Sequence, residues 1–161
     1  MMTSVEGKIC RVVPARLGPG EDVLKGITAV CEKYGIKNGV LIGAIGSLRH
    51  ARILNQMPSE IKDGQIVYDY PEKAQDWGDL QGVLELCSVQ GPIYHTEDGK
   101  PAPQLNCTFS NAAGTVIGGH MVEGTLVAMT LELTVAELEG VDMLCKKDPA
   151  TGKVVLCPSQ V

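Results

Sequence analysis

The segment that most constrains the fold runs from Gln104 to Met121 (QLNCTFSNAAGTVIGGHM) and predicts two strands joined by a tight turn. Polar and apolar residues alternate with a period of two in its first half, which is typical of a strand with one buried face. The side chains expected to face the core are Leu105, Cys107 and Phe109. Those on the other face are Gln104, Asn106, Thr108 and Ser110, all neutral hydrogen-bonding groups. Such a face suits a pocket or a wet subunit interface as well as bulk solvent.

Turn chemistry at Asn111–Gly114 separates this strand from a second one that begins at Thr115. Asn and Gly tolerate positive φ, and the β-branched residues that follow favour a strand. Gly118 and Gly119 are expected to break the second strand and to allow a bulge or a close backbone approach. If the two strands pair, His120 comes near the start of the first strand. Two interpretations follow: a Gln/Asn/His pocket, or a histidine hydrogen-bonded at a strand end.

Length and composition indicate one globular domain with an aliphatic core. The chain has 161 residues, of which 44% are hydrophobic and only 4% aromatic. The formal net charge is −5 and no run of basic residues occurs, whereas a nucleic-acid binder normally has a basic face. No apolar run reaches the length of a membrane span, and the N-terminus is too polar for a signal peptide. We therefore expect a cytoplasmic protein.

The six cysteines are scattered and contain no CxxC pair, so a structural zinc site is not predicted. Cys145 and Cys157 flank a turn-rich segment, and a hairpin there could place them opposite each other. Both a disulfide and two free thiols are compatible with this spacing; a reducing compartment favours the thiols.

The remaining pattern predicts an α+β domain, mainly an antiparallel sheet with one principal helix packed on a face. The helix is expected at Glu21–Tyr34, with apolar residues on one side and Gly35 as its stop. Further strands are expected at Lys8–Leu17, Gly39–Ile45, Leu48–Met57, Ile66–Tyr70, Leu80–Val89 and Leu126–Val135. Loops are expected at Pro58–Gly64 and Gly91–Pro103. Residues 138–161 are expected to form a C-terminal extension with a short hairpin, part of the same domain as residues 1–137.

Charged and titratable residues outside the central segment offer two further candidates. His50 and Arg52 share one face of a predicted strand, where they could bind an anion or simply form a solvated face. His95 lies in a predicted loop, and loops often border functional sites.

Four motifs in order resemble the PPC domain, the plants-and-prokaryotes-conserved domain. They are LGPGEDVLKGI, IGAIGSLRHARI, GVLELCSVQG and GTVIGGHM. The resemblance spans about Gly7 to Glu137. The family occurs as a single domain in bacteria and archaea and is joined to AT-hooks in plants. It implies an α+β fold with an antiparallel sheet, assembled as a homotrimer.

The resemblance also implies a metal site in many single-domain members, built from three histidines. Two form a His-x-His pair on the strand before the Gly-Gly-His signature, and the third belongs to the signature. Here His120 matches the third, whereas the pair falls on Gln104 and Asn106. Amides are poor ligands for zinc, which prefers imidazole and thiolate. We therefore expect no bound metal and no other cofactor, unless His50 or His95 reaches the site.

Three functions remain open at this stage. The first is a homotrimeric binding or regulatory module for a small polar or anionic ligand. The second is a small-molecule enzyme in which His120 acts as general acid and base and Arg49 or Arg52 holds an acidic group. The third is a DNA-associated protein, although no AT-hook-like Arg-Gly-Arg-Pro segment occurs. The candidate ligand contacts are Gln104, Asn106, Thr108, Gly118, Gly119, His120, Arg49 and His50.

Overall fold

The structure, a computed structural model, describes residues 3–54, 80–148 and 154–161 in full, together with the backbone of residues 59–62 and 65–68. The first elements are β1 (Lys8–Leu17), α1 (Val23–Tyr34), β2 (Gly39–Ala51), β3 (Ile53–Leu54), β4 (Ser59–Lys62) and β5 (Gln65–Tyr68). The others are β6 (Leu80–His95), β7 (Pro101–Pro103), β8 (Asn106–Ser110), β9 (Val116–Met121), β10 (Leu126–Glu139), β11 (Val141–Lys147) and β12 (Val154–Gln160). Sheet structure dominates, and α1 is the one helix in these ranges.

The predicted helix is present, but it begins two residues later than expected. Asp22 is its N-cap, and one carboxylate oxygen accepts a hydrogen bond from the backbone N–H of Lys25 at 3.0 Å. The other oxygen accepts from the backbone N–H of Gly124 at 2.6 Å, which ties the helix start to the β9–β10 turn. Gly35 ends the helix in the left-handed conformation, as the sequence predicted.

The main sheet has the strand order β1-β10-β2-β6-β8-β9-β3, with antiparallel pairing along this path. β7 and β11 add to β6, and β12 adds to β11. β3 follows β2 in the chain after a single residue, yet it pairs with β9 at the far end of the strand order. The sheet therefore curls, so that its last strand lies next to the end of β2. β4 and β5 form a separate two-stranded sheet.

The core is aliphatic, as the scarcity of aromatic residues predicted. Val23, Ile27 and Cys31 of the helix belong to the same buried cluster as the sheet residues, so α1 packs on the sheet. Phe109 is the largest fully buried side chain in the described ranges. Thr125 is a fully buried polar residue; its hydroxyl accepts from the backbone N–H of Arg52 at 3.1 Å, which holds β10 against the β2–β3 bend.

Several strands run further than the sequence indicated. β6 continues through the predicted loop as far as His95, and β10 continues to Glu139. Gly91 permits the continuation of β6 because a side-chain carbon there would lie only 2.1 Å from the carbonyl oxygen of Gln104. β4 occupies part of the predicted loop Pro58–Gly64.

Some predicted boundaries fall outside the described residues. The end of the strand predicted at Leu48–Met57 and the last residues of Ile66–Tyr70 are among them. In the described ranges, no helix is both long and apolar enough to cross a membrane.

The C-terminal segment forms the expected hairpin from β11 and β12. Its register pairs Leu144 with Cys157, and Cys145 with Leu156. Cys145 and Cys157 are therefore offset by one residue, and because neighbouring residues of a strand point to opposite faces, the expectation that they lie opposite each other is wrong. Both are free thiols, which was the favoured alternative.

Candidate functional site

The hairpin of β8 and β9 presents the neutral polar face that the alternation predicted. Leu105, Cys107 and Phe109 are buried, whereas Gln104, Asn106 and Thr108 are exposed. Burial raises the pKa of the Cys107 thiol to about 11, so this thiol stays neutral beneath the polar face at neutral pH. The polar face therefore carries the hydrogen-bonding chemistry of the hairpin.

His120 lies directly opposite Asn106 in the pairing of β9 with β8. The Nδ1 atom of His120 is 3.2 Å from the side-chain oxygen of Asn106. An amide oxygen can only accept, so Nδ1 carries the hydrogen and donates it. The other ring nitrogen, Nε2, then presents a lone pair, and no described residue hydrogen-bonds to it.

The glycine pair before His120 does not break the second strand, contrary to expectation. β9 runs without a register shift from Val116 to Met121. The expected close approach is real: a side-chain carbon on Gly118 would lie 2.6 Å from the carbonyl oxygen of Cys107 and 2.9 Å from the methyl group of Thr108. Gly118 thus keeps the two backbones close, while Gly119 lies opposite Cys107.

A third polar residue, which the sequence analysis did not identify, lies beside His120 and Asn106 in the sheet. Gln90 of β6 pairs with Asn106 of β8, so Gln90, Asn106 and His120 lie side by side across three strands. The missed signal was the length of β6: ending it at Val89 excluded Gln90. Gln104 lies on the same face two residues before Asn106 and makes no hydrogen bond to His120.

The structure places Arg49 and His50 away from this row. His50 pairs with Gln81 and Leu126 in the sheet register, whereas His120 pairs with Asn106 and Leu54. A side-chain carbon on Gly20 would lie 3.4 Å from an Arg49 guanidinium nitrogen, so Arg49 extends over the β1–α1 loop. Their role as ligand contacts stays a prediction.

His95 stands at the end of β6 and not in a loop, and both of its ring nitrogens face oxygen atoms. Nε2 is 2.6 Å from a carboxylate oxygen of Asp142 in β11, and Nδ1 is 3.0 Å from the carbonyl oxygen of Thr96. The His95 side chain is 14% exposed. His95 therefore ties the C-terminal hairpin to the sheet and has no nitrogen left for a ligand.

An open depression of about 780 Å³ adjoins the row on the side of Asn106. Gln90 and Asn106 form its polar part. Its apolar part includes Val40, Ile42, Leu138 and Met143. None of the described residues in its lining has an ionisable side chain.

A family model matches residues 4–139, which is most of the chain: the Plants and Prokaryotes Conserved (PCC) domain. The chain belongs to this family. It is the family that the four sequence motifs resemble, so the resemblance is confirmed. The match ends at the start of the C-terminal hairpin, so β11 and β12 lie beyond it.

Solved structures share this fold. A plant- and prokaryote-conserved protein from Pyrococcus horikoshii is 22% identical, with a TM-score of 0.72 and coverage of 99% of this chain and 100% of that one. A metal-containing protein from Archaeoglobus fulgidus is 23% identical, with a TM-score of 0.74 and coverage of 97% and 99%. A protein from Ralstonia eutropha, to which DNA binding has been provisionally ascribed, is 19% identical with a TM-score of 0.65 and 89% coverage of both chains. At these identities the likeness shows the fold alone.

The curated relatives are much longer than this chain. A bifunctional protein GlmU from a Synechococcus strain is 26% identical over 148 residues, which are 91% of this chain and 20% of that protein. The chain thus spans about a fifth of the length of the curated relative it matches.

Proposed function

We propose that the chain is a homotrimeric binding or regulatory module whose polar row around His120 holds a small ligand. The observation that carries this proposal is the pairing of His120 with Asn106, which orients the ring and leaves Nε2 without a hydrogen-bond partner among the described residues. The ligand contacts proposed are Gln104, Asn106, Thr108, Gly118, Gly119 and His120, with Arg49 and His50 as outlying candidates.

Trimer formation is supported by apolar side chains on the outer side of the sheet. Ile45 of β2 is 59% exposed, Val83 of β6 is 76% exposed, and Met129 of β10 is 75% exposed. Large exposed apolar side chains gathered on one sheet are typical of interaction surfaces. Light scattering after gel filtration should give about three times the chain mass of 17.1 kDa. A Met129→Asp variant should shift this mass towards the monomer.

The ligand site is tested with the smallest probes of the two proposed classes, acetamide and inorganic phosphate. Nuclear magnetic resonance of the histidine ring nitrogens should show a probe-dependent shift at His120, and the His120→Ala variant should lose probe binding. A shift confined to His50 would move the site to the strand face of Arg52. If neither probe affects any histidine, a ligand site at His120 is excluded for both classes.

A module function is also favoured by the size of the curated relatives. In the GlmU proteins the matching region is a fifth of a longer bifunctional chain, which suits an accessory unit attached to other parts. A regulatory role beside an enzymatic partner follows as part of the proposal. The partner would be recognised by its effect: adding this chain should change the partner's kinetic constants.

The second candidate, a small-molecule enzyme, uses the same open nitrogen. Nε2 of His120 could accept a proton as general base. Acid–base catalysis also needs a group that orients charge or returns the proton, and Asn106, an amide, can only position the ring. This is why we rank the enzyme second. A rate lost in His120→Ala and retained in His95→Ala, with a substrate identified from bound ligand, would reverse the ranking.

The three-histidine metal site of the family does not fit the residues present. Two of its three positions carry amides, and Nδ1 of His120 is already a donor to one of them. No group of three His, Cys, Asp or Glu side chains placed to hold a metal occurs in the described ranges. We therefore propose no metal-dependent step.

DNA association is the third candidate and rests on the provisional label of a structural neighbour. The net charge of −5 opposes it, because phosphate contacts need clustered Lys and Arg. A gel-shift assay at low salt with random duplex DNA tests this candidate directly. A retarded complex that dissociates when salt is added would support it.

A further inference from the structure

We propose that Met143 of the C-terminal hairpin completes the apolar wall that β2 and β10 begin at the ligand site, and that the ligand is an uncharged amphipathic molecule with an amide-like head. This inference rests on the proposed function, because it names the ligand class of the same site. Its physical basis is the continuity between the row Gln90–Asn106–His120 and the depression lined by Met143 of β11.

The polar end of the site favours a head group that both donates and accepts. Nε2 of His120 offers a lone pair, so it accepts a hydrogen bond from the ligand. The side-chain NH₂ of Asn106 remains a donor, because its oxygen is the atom used by His120. Gln90 can supply either partner. A carboxamide, with one carbonyl and one NH₂ group, meets these requirements.

The walls of the depression favour an uncharged and partly apolar body. Val40, Ile42, Leu138 and Met143 are apolar, and no ionisable side chain is found among the described residues that line the depression. A charged ligand entering it would lose hydration without gaining a counter-charge, which costs free energy. An alkyl or ring body gains free energy by leaving water.

The hairpin is held firmly enough to form a wall. The backbone N–H of Met143 donates to the side-chain oxygen of Asn38 at 2.7 Å, and Asp142 contacts His95. Val141, Met143 and Cys145 are buried on one face of β11. These residues belong to the C-terminal segment that follows the match to the family model.

The test compares four probes of related shape on the full-length protein. Hexanamide has the neutral head and the apolar body; acetamide lacks the body; hexanoate and hexylammonium carry charge. Binding is followed by nuclear magnetic resonance of the Met143 methyl group and the Asn106 side-chain amide. We expect hexanamide to bind about tenfold more tightly than acetamide, which corresponds to about two of its four additional methylene groups leaving water in an open depression. Tighter binding of either charged probe would overturn the ligand class.

Matched variants separate the wall from the polar row. Met143→Gln keeps the length of the side chain but makes the wall polar, whereas Leu144→Gln alters the neighbouring residue on the opposite face of β11. The affinity for hexanamide should fall about tenfold in Met143→Gln and stay unchanged in Leu144→Gln, because Met143 lines the depression and Leu144 does not. An equal loss in both would mean that hairpin docking alone matters, and would overturn the wall.

The polar head is tested with Asn106→Ala and with Ser110→Ala as the control on the same strand. Affinity for both amides should fall only in Asn106→Ala. If hexanamide shifts the resonances of His120 and Asn106 but binds equally well to Met143→Gln, the proposed ligand site is supported and the role of Met143 as its apolar wall is overturned. If neither amide shifts His120 or Asn106, the neutral ligand class fails, while a phosphate response would still support the proposed function.

Discussion

His95 and His120 each pair with an oxygen atom on a neighbouring strand, and the difference between them separates a structural histidine from a candidate functional one. His95 has oxygen atoms at 2.6 and 3.0 Å from its two ring nitrogens and is 14% exposed. His120 has one such contact, at 3.2 Å, to a neutral amide, and its second nitrogen is open. A ring nitrogen without a hydrogen-bond partner among the described residues, more than the residue type, marks the candidate site.

The partners of the two histidines differ as well. Asp142 is charged and belongs to a segment 47 residues away, so the His95 contact fixes one part of the chain against another. Asn106 is 14 residues from His120 in the same hairpin, where backbone pairing already fixes the geometry. The second contact can therefore be changed without loss of the fold, which makes four predictions possible.

The largest expected effect is the creation of a zinc site at His120 by Gln104→His with Asn106→His. Three imidazoles would replace one imidazole and two amides, and three protein ligands with one water suffice for zinc. We expect close to one zinc per chain after gel filtration, measured by elemental analysis, and much less in the unaltered chain.

The matched control is Thr108→His with Ser110→His, on the same face of β8 but not opposite His120. Its zinc content should stay near that of the unaltered chain. Stoichiometric zinc in the unaltered chain would contradict our expectation that the amides abolish the family's metal site.

The second prediction concerns chemical access to the two rings. Diethyl pyrocarbonate acylates unprotonated ring nitrogens, so His120 should react faster than His95, on the order of tenfold, since His95 must first lose its contacts. Mass spectrometry of peptides from short exposures gives both rates in one sample. Equal rates would show that the contacts of His95 do not protect its ring, and would contradict the structural role assigned to His95.

The third prediction reverses the ranking, because stability should depend on His95. His95→Ala leaves the partly buried carboxylate of Asp142 without its partner and should lower the free energy of unfolding by about 1–3 kcal/mol. His120→Ala should cost no more than about 0.5 kcal/mol, as for other surface changes. Urea unfolding of the two variants measures both. A larger loss of unfolding free energy in His120→Ala than in His95→Ala would show that His120, and not His95, has the structural role.

The two histidines also show what a single sequence reveals. The His120 row was predictable because it depends on local rules: alternation from Gln104 to Ser110, turn residues at Asn111–Gly114, and a hairpin register that follows from them. The neutral polar face and the buried face of β8 both match the prediction. The helix was predictable for the same reason, since its apolar stripe and its caps are local.

The His95 tie was not predictable because it depends on pairing between distant segments. His95 was placed in a loop because glycine and proline usually end a strand, yet β6 continues past Gly91 where it lies close to the Gln104 carbonyl. Asp22 likewise bonds to Gly124, which is 102 residues away. Local patterns carry no information on such contacts, and Gln90 was missed for the same reason.

The smallest expected effect comes from the turn that sets the His120 register. The side-chain oxygen of Asn111 accepts hydrogen bonds from the backbone N–H groups of Ala113 and Thr115, each at 3.0 Å. Asn111→Ala removes both on an exposed turn, and we expect a loss of about 1 kcal/mol in unfolding free energy. Ala112→Ser, in the same turn, should change this free energy little.

The hydrogen bond between His120 and Asn106, followed by nuclear magnetic resonance, should persist in Asn111→Ala, because the β8–β9 ladder still holds the register. If the bond is lost while the fold survives, the turn and not the ladder positions His120, and the site is less rigid than the pairing implies.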